Sequence, residues 1–341
     1  MAYSSSDIVS STTTLLVLLI FFLTIRFIAR HASKSSSSEP TSTTAGIGSD
    51  DWVALAAALG SALGCLLILV SANEGLGRST SYSSPDQITS VLLMIWLDQI
   101  NYILVMALTK TSTLLLYTRI FHAHTSEHVR FRRLCWALIG IVCLTSFFLI
   151  VFAIVMCDPV DYFWTRVTRP DSGRCKDHRP YLYANTIISI ITDVLVVVLP
   201  VKQILGLQMA RKKKITVLGI FGLGGVVIIC SIMRATKVED AAKRTDPMVD
   251  LAGLCIWSLV ESVVSVICCC VPATYRPIKD FCKDIYVGLR DGGTDIDMHP
   301  AQTTKPAVAR GRDWHDVEHG YRTGTPAHLE YGKSPVVDPR W

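Results

Sequence analysis

The chain has 341 residues, half of them hydrophobic and 18% charged, with a formal net charge of +5. That balance is too apolar for a solvated two-domain protein and places the chain among membrane proteins. The basic residues cluster in short segments beside apolar runs, where they set orientation, so no nucleic-acid partner is expected and the lipid bilayer takes that place.

A helix needs roughly 20 mostly apolar residues to cross the hydrocarbon core. Seven stretches of this kind follow one another, at about 8–25, 52–71, 91–117, 134–156, 182–201, 215–233 and 249–271. The first has no basic residue before it and is followed by Arg26 and Arg30, so it reads as a retained helix and not as a cleaved signal. The predicted fold is therefore an all-α seven-transmembrane bundle with its N-terminus outside and its C-terminus cytoplasmic.

Charge sets that orientation. The segment 119–133 carries Arg119, Arg130, Arg132 and Arg133 against Glu127 alone, and 202–214 carries Lys202, Arg211, Lys212, Lys213 and Lys214 with no acid. Both are expected to face the cytoplasm. Arg119, Arg132, Arg133, Lys212, Lys213 and Lys214 are accordingly the candidate coupling residues for an inner partner or anionic lipid. The segment between the fourth and fifth spans has balanced charge and is expected outside. The Ser/Thr-rich stretch after the first span reads as a linker.

The bundle takes up 1–278, and beyond Val271 the chain is expected to turn at Pro272 and Pro277. Ile278, Phe281, Cys282, Ile285 and Leu289 then recur on one helical face, predicting a short amphipathic surface helix over 279–290. The remainder, 291–341, is rich in Gly, Pro, Thr and mixed charge and reads as a disordered cytoplasmic tail.

Of the 11 cysteines, Cys157 and Cys175 alone fall in a segment expected outside, where a disulfide can form. The alternative is that Cys157 simply ends the fourth helix, buried and unpaired. Cys268, Cys269, Cys270 and Cys282 lie near the inner leaflet, open either to acylation or to ordinary packing.

Ionisable residues at membrane depth are costly and mark sites. Lys110 lies 9 residues before Arg119, Asp193 lies 8 before Val201, and Glu261 lies 10 before Val271. At 1.5 Å per residue all three sit roughly 12–15 Å from the inner surface. An interior cluster is expected in which Lys110 pairs with Asp193 or Glu261, with Asn185, Thr109 and Ser112 nearby; the plainer alternative is a pair that only fixes helix register. Nearer the outer face, Asp98 with Gln99 and Asn101 opens the third helix and Arg234 closes the sixth, so both charge signs are expected to line an outward cavity for a small polar ligand. Arg234 could equally snorkel to the interface.

His122, His124 and His128 lie close together on a loop without cysteine, so no metal site is expected. No His-Glu-x-x-His helix, Gly-x-Ser-x-Gly turn or phosphate-cradling glycine loop is present, so the chain is not expected to be an enzyme.

The segments ALTKTSTLLLYTRIF from Ala107, CDPVDYFW from Cys157, GRC ending at Cys175, NTIISIITDVLVVVLPVKQILGLQMARKKKITV from Asn185, SIMRATKV from Ser231 and IWSLVESVVSVICCCVPATYRPI from Ile256 resemble the fungal rhodopsin-domain family of seven-helix integral membrane proteins, over 52–278. That family includes satratoxin-cluster-like membrane proteins and relatives of fungal surface-sensing receptors. In this chain Arg78 stands where the resemblance leads one to expect a histidine. The motifs fall on Lys110, Ser112, Tyr117 and Arg119, on Cys157, Trp164 and Cys175, on Asp193 and Pro200, on Arg234, and on Trp257 and Glu261. Trp257 thereby joins Asp98 and Arg234 as a candidate ligand-facing residue.

Retinal is not expected despite the family's name, because a Schiff base needs a lysine amine, normally on the seventh helix, and 249–271 has none. No other cofactor is implied. The resemblance implies a receptor-like protein sensing an unknown small ligand and coupling to a heterotrimeric G protein, at the plasma membrane or else an internal one. The alternative is an accessory or transport protein working beside the membrane enzymes of a secondary-metabolite pathway.

Overall fold

The computed structural model describes residues 5–36, 47–78, 80–120, 126–205, 211–243 and 247–291. Eight helices follow in chain order: α1 (Ser5–Ser36), α2 (Ser49–Asn73), α3 (Pro85–Ile120), α4 (Ser126–Ile154), the single-turn α5 (Tyr162–Thr165), α6 (Arg179–Leu205), α7 (Arg211–Lys243) and α8 (Pro247–Asp291). Two short strands, β1 (Cys157–Asp158) and β2 (Arg174–Cys175), pair antiparallel around α5. Cys157 faces Cys175 in that register and the two form a disulfide, closing the hairpin at the end of α4.

Among the described residues six stretches are long and apolar enough to cross a membrane: Ser5–His31, Ser49–Asn73, Pro85–Arg119, Val129–Ile154, Arg179–Pro200 and Leu251–Pro272. The stretch 215–233 lies within α7. The outer surface is apolar, with Phe147, Phe148 and Leu144 on α4, Ile187, Ile191 and Val198 on α6, and Ile20 and Phe21 on α1 exposed. A water-soluble protein would hide such faces, whereas lipid solvates them.

Local sequence explains how the helices begin. Ser84 and Gln87 form a reciprocal box ahead of α3, the Gln87 amide donating to Ser84 Oγ (3.3 Å) and the Ser84 amide to Gln87 Oε1 (3.0 Å), with Pro85 in the first turn where its missing N–H costs nothing. At α2 the Gly48 amide donates to Asp51 Oδ2 at 3.0 Å. The turn expected at Pro272 and Pro277 is not a break: α8 continues through both prolines to Asp291. Thr274 donates its hydroxyl to the carbonyls of Val271 (3.0 Å) and Cys270 (3.3 Å), so acceptors beside Pro272 are used within the helix. The segment 279–290 is thus the last part of α8, and its side chains lie outside the described residues, as do the tail residues 292–341 and the side chains of Lys212, Lys213 and Lys214.

α3 organises the interior. It contributes Val91, Leu92 and Val105 to a core shared with α1, α2 and α8, Tyr102, Ile103 and Met106 to one shared with α4, the hairpin and α6, and Leu114 and Tyr117 to one shared with α4 and α6. α2 meets it through small buried residues, Ala54, Ala57, Ala58, Ser61, Gly64 and Cys65. Without a hydrophobic driving force between helices in lipid, such close backbone approach supplies the attraction. At Gly60 a Cβ would come within 2.6 Å of Val105, so only glycine fits.

Candidate functional site

Four buried charges on four helices meet in the bundle interior. Lys110 Nζ on α3 lies 3.3 Å from Asp193 Oδ1 on α6, and it donates to Thr192 Oγ1 (2.7 Å), the Ser189 carbonyl (3.1 Å) and Ser189 Oγ (3.2 Å). Glu261 on α8, 0% exposed, sits 3.0 Å from Arg234 Nε on α7 and accepts from the Tyr102 hydroxyl at 2.9 Å. The Arg234 Nε–H is not aimed at an acceptor, so that pair is held by charge more than by a directed hydrogen bond. Ser231 Oγ joins the halves, 2.6 Å from Glu261 Oε1 and 3.2 Å from Asp193 Oδ2. Of the two partners open to Lys110, the structure gives it Asp193. Thr109 and Ser112 do not join: they donate to the carbonyls of Met106 and Asp50.

Arg234 was read from sequence as a helix end facing outward. It is buried, its guanidinium stacked 4.4 Å over the Tyr102 ring and donating to Thr186 Oγ1 at 3.0 Å. The reason is length: α7 runs nine residues past it to Lys243, so Arg234 lies within the helix and takes interior partners. With Lys110 and Arg234 against Asp193 and Glu261 the cluster balances in charge, as burial in a low dielectric demands.

Above this cluster, under the disulfide hairpin, lies a cavity of about 30 Å³ lined by Trp96, Asp98, Gln99 and Tyr102 of α3, Phe163 of α5, and His178. That space holds about two waters. Arg234 and the half-buried Trp257 are not among its lining residues. A second cavity of about 30 Å³ is lined by Lys110, Asn185, Ser189 and Thr192. Tyr102 lines both. Trp164 of the hairpin packs its ring 5.3 Å from that of Trp96, seating the hairpin on α3. His178, between the rings of Phe163 and Tyr181 and 2.8 Å from Met156 Sδ, is pushed down to about 4 mainly by burial, with Arg166 adding to the shift.

A second ionic network was not legible as a site. Arg26 on α1, 0% exposed, reaches Asp51 (2.8 Å) and Asp50 (3.3 Å) at the start of α2 and donates to the Cys269 carbonyl of α8 at 2.8 Å. Arg30 reaches the same two carboxylates at 3.0 and 3.2 Å. Arg119, read as a coupling residue, lies at the edge of this network, 2.9 Å from Asp50 Oδ1 with its side chain 18% exposed. A Cβ on Gly48 would meet the Arg119 guanidinium, which would have to shift to admit it. The sequence signal was two arginines spaced i, i+4 at the end of one span and paired acids at the start of the next. Arg132 and Arg133 on α4 are exposed.

Long lipid-compatible helices around a buried, ion-paired interior define a multi-pass helical membrane protein. The fungal rhodopsin domain matches residues 38–280, and the chain belongs to that family. It is 30% identical over 179 residues to "Satratoxin biosynthesis SC1 cluster protein 4" of Stachybotrys chartarum, covering 52% of this chain and 61% of that protein. It is 28% identical over 183 residues to "Fugralins biosynthesis cluster protein 2" of Gibberella zeae, covering 52% of this chain and 44% of that protein. "Receptor GIN3" of Arthrobotrys oligospora is 26% identical over 234 residues, 67% of this chain and 54% of the relative. The chain thus spans about half the length of the curated relatives it matches. No solved structure matches it.

Proposed function

We propose that the chain is a receptor-like, non-catalytic protein of the plasma membrane, with seven spans, the hairpin outside and the Arg119 end in the cytoplasm, working without retinal. A small ligand enters the cavity under the hairpin and shifts the balance between two arrangements of the bundle. The observation that carries this reading is Tyr102, which lines the cavity and donates its hydroxyl to Glu261. Moving that ring disturbs the Arg234–Glu261 pair stacked beneath it, and through Ser231 the Lys110–Asp193 pair. Such a chain of contacts gives a ligand the differential interaction that any population shift requires. At the other end, release of Arg119 from Asp50 would free a cation for a signalling partner, a heterotrimeric G protein in this reading.

The name of the Arthrobotrys relative, a receptor, supports this reading, and the names of the two biosynthesis-cluster relatives support the second, an accessory or transport role beside pathway membrane enzymes. One experiment separates them. Full-length protein in lipid nanodiscs is tested for retention of a G-protein α-subunit with and without a GTP analogue, beside Arg119→Ala. Retention that the analogue and the substitution both abolish supports the receptor. A folded sample that retains nothing, with substrate flux in vesicles, supports the pathway role.

A further inference from the structure

Among the described residues, Asp98 is the buried acid of the bundle interior that stands without an ion-pair partner. It is 5% exposed. α2 packs closely on it: a Cβ on Gly64 would come within 3.0 Å of both Asp98 Oδ1 and the Asn101 amide nitrogen, and Asn101, which donates to the Gly60 carbonyl at 3.0 Å, also hydrogen-bonds Asp98. The carboxylate lines the cavity wall. An isolated buried carboxylate is neutralised either by a proton or by a bound cation.

The rest of the cavity favours the cation. Trp96, Tyr102 and Phe163 present aromatic rings to it, and aromatic faces attract ammonium groups. His178 stays neutral at physiological pH, since burial pushes it down to about 4, so it adds no positive charge. Arg234 beneath Tyr102 is offset by Glu261. Next to Asp98 on the wall, Gln99 carries a buried Nε2 that makes no well-formed hydrogen bond; the Tyr181 hydroxyl beside it is likewise unsatisfied, so both polar atoms need a further partner. A buried orphan donor is costly, and an acceptor oxygen on a ligand relieves it. At about 30 Å³ the space takes a ligand of only a few heavy atoms.

We propose that this cavity binds a small amino alcohol, its ammonium group against the Asp98 carboxylate and its oxygen accepting from Gln99 Nε2. The inference deepens the receptor-like reading and rests on that reading's choice of cavity.

The test uses full-length protein in nanodiscs at neutral pH and matched ionic strength, with ethanolamine, ethylamine, ethylene glycol and sodium chloride as probes, read by calorimetry and by thermal midpoint. Ethanolamine is expected to bind at least about tenfold tighter than ethylene glycol, because only it forms a charge-assisted bond. It should exceed ethylamine by about fivefold, the worth of one neutral hydrogen bond. Asp98→Asn should reduce ethanolamine to the level of the glycol, and Gln99→Leu should remove its margin over ethylamine while leaving ethylamine unchanged. Equal binding of ethanolamine and the glycol, stabilisation by sodium alone, no binding of any probe, or undiminished ethanolamine binding by Asp98→Asn would each overturn the proposal. If Asp98→Asn does not fold, the comparison of probes on the unaltered chain decides by itself. Amine binding without nucleotide-sensitive G-protein retention keeps this site and removes the receptor reading; retention without amine binding does the reverse.

Discussion

The two ionic clusters of this protein differ in what surrounds them and in how far their members lie apart in the chain. The one joining α1, α2 and α3 sets three arginines against two aspartates, draws its main pairs from neighbouring helices, and reaches solvent only at Arg119. The one joining α3, α6, α7 and α8 balances two cations against two acids, is buried throughout, and touches one cavity through Lys110 and, through Tyr102, the cavity under the hairpin as well. Both are buried, but burial alone does not make a switch. In the first each arginine bridges both carboxylates, with no hydroxyl relay between these among the described residues, which suits a clamp. The second has neutral hydroxyls from Tyr102, Ser189, Thr192 and Ser231 between its charges, and these can exchange partners at small cost.

The largest expected effect is in the clamp. Asp51→Ala removes the main partner of Arg26, whose guanidinium no water reaches, and uncompensated buried charge costs about 3–5 kcal/mol. Loss of monodisperse protein on size exclusion would register it, and normal yield would show that Asp50 alone suffices. Asp193→Asn should cost less, about 2–3 kcal/mol, because Lys110 keeps three neutral acceptors. The double variant Lys110→Met, Asp193→Leu should return to within about 1 kcal/mol of the unaltered chain, since a well-packed apolar pair can replace a buried ion pair. If the double variant stays stable but loses G-protein retention, the second cluster acts and does not merely brace.

Gly60→Ala tests the seam on which both clusters depend. Its new methyl meets Val105, and overpacking costs about 1–3 kcal/mol, so the thermal midpoint should fall, while Gly140→Ala, inside α4 where a Cβ meets nothing, should hold or slightly raise it. The effect that is smallest near neutral pH belongs to the hairpin, outside both clusters, and it grows with acid. His178 in the folded chain resists protonation until about pH 4, whereas the unfolded chain protonates near the ordinary value of 6.5. The unfolded state therefore binds more protons in that window, and stability, full above pH 6.5, declines as pH falls toward 4. The difference in midpoint between the unaltered chain and His178→Gln should narrow over those pH values; a constant difference contradicts the assignment.

Sequence made the apolar spans and the depth of Lys110, Asp193 and Glu261 legible, because membrane-buried charges are rare enough that position alone marks them. It did not show which acid Lys110 takes, since equal depth says nothing of azimuth around the bundle. Arg234 was misplaced because the helix end was inferred from where apolarity stops, and α7 continues as a polar helix to Lys243. Arg26 and Arg30 were explained by the orientation rule, so their partners Asp50 and Asp51 were never sought. Tyr102 and Ser231 were invisible for a different reason: a hydroxyl in an apolar run gives no pattern until its partner is in place. The unbroken α8 was hidden behind two prolines that usually end helices.

The claim on which the account turns is that the cavity wall and the ionic interior share one hydrogen bond, from Tyr102 to Glu261. A double-mutant cycle of Tyr102→Phe and Glu261→Gln, read as unfolding free energy in mixed micelles, measures it directly. A coupling of about 1.5–3 kcal/mol is expected, the worth of a hydrogen bond to a charged group. Additive losses, within about 0.5 kcal/mol, would mean the two residues are independent and would remove the link from cavity to core.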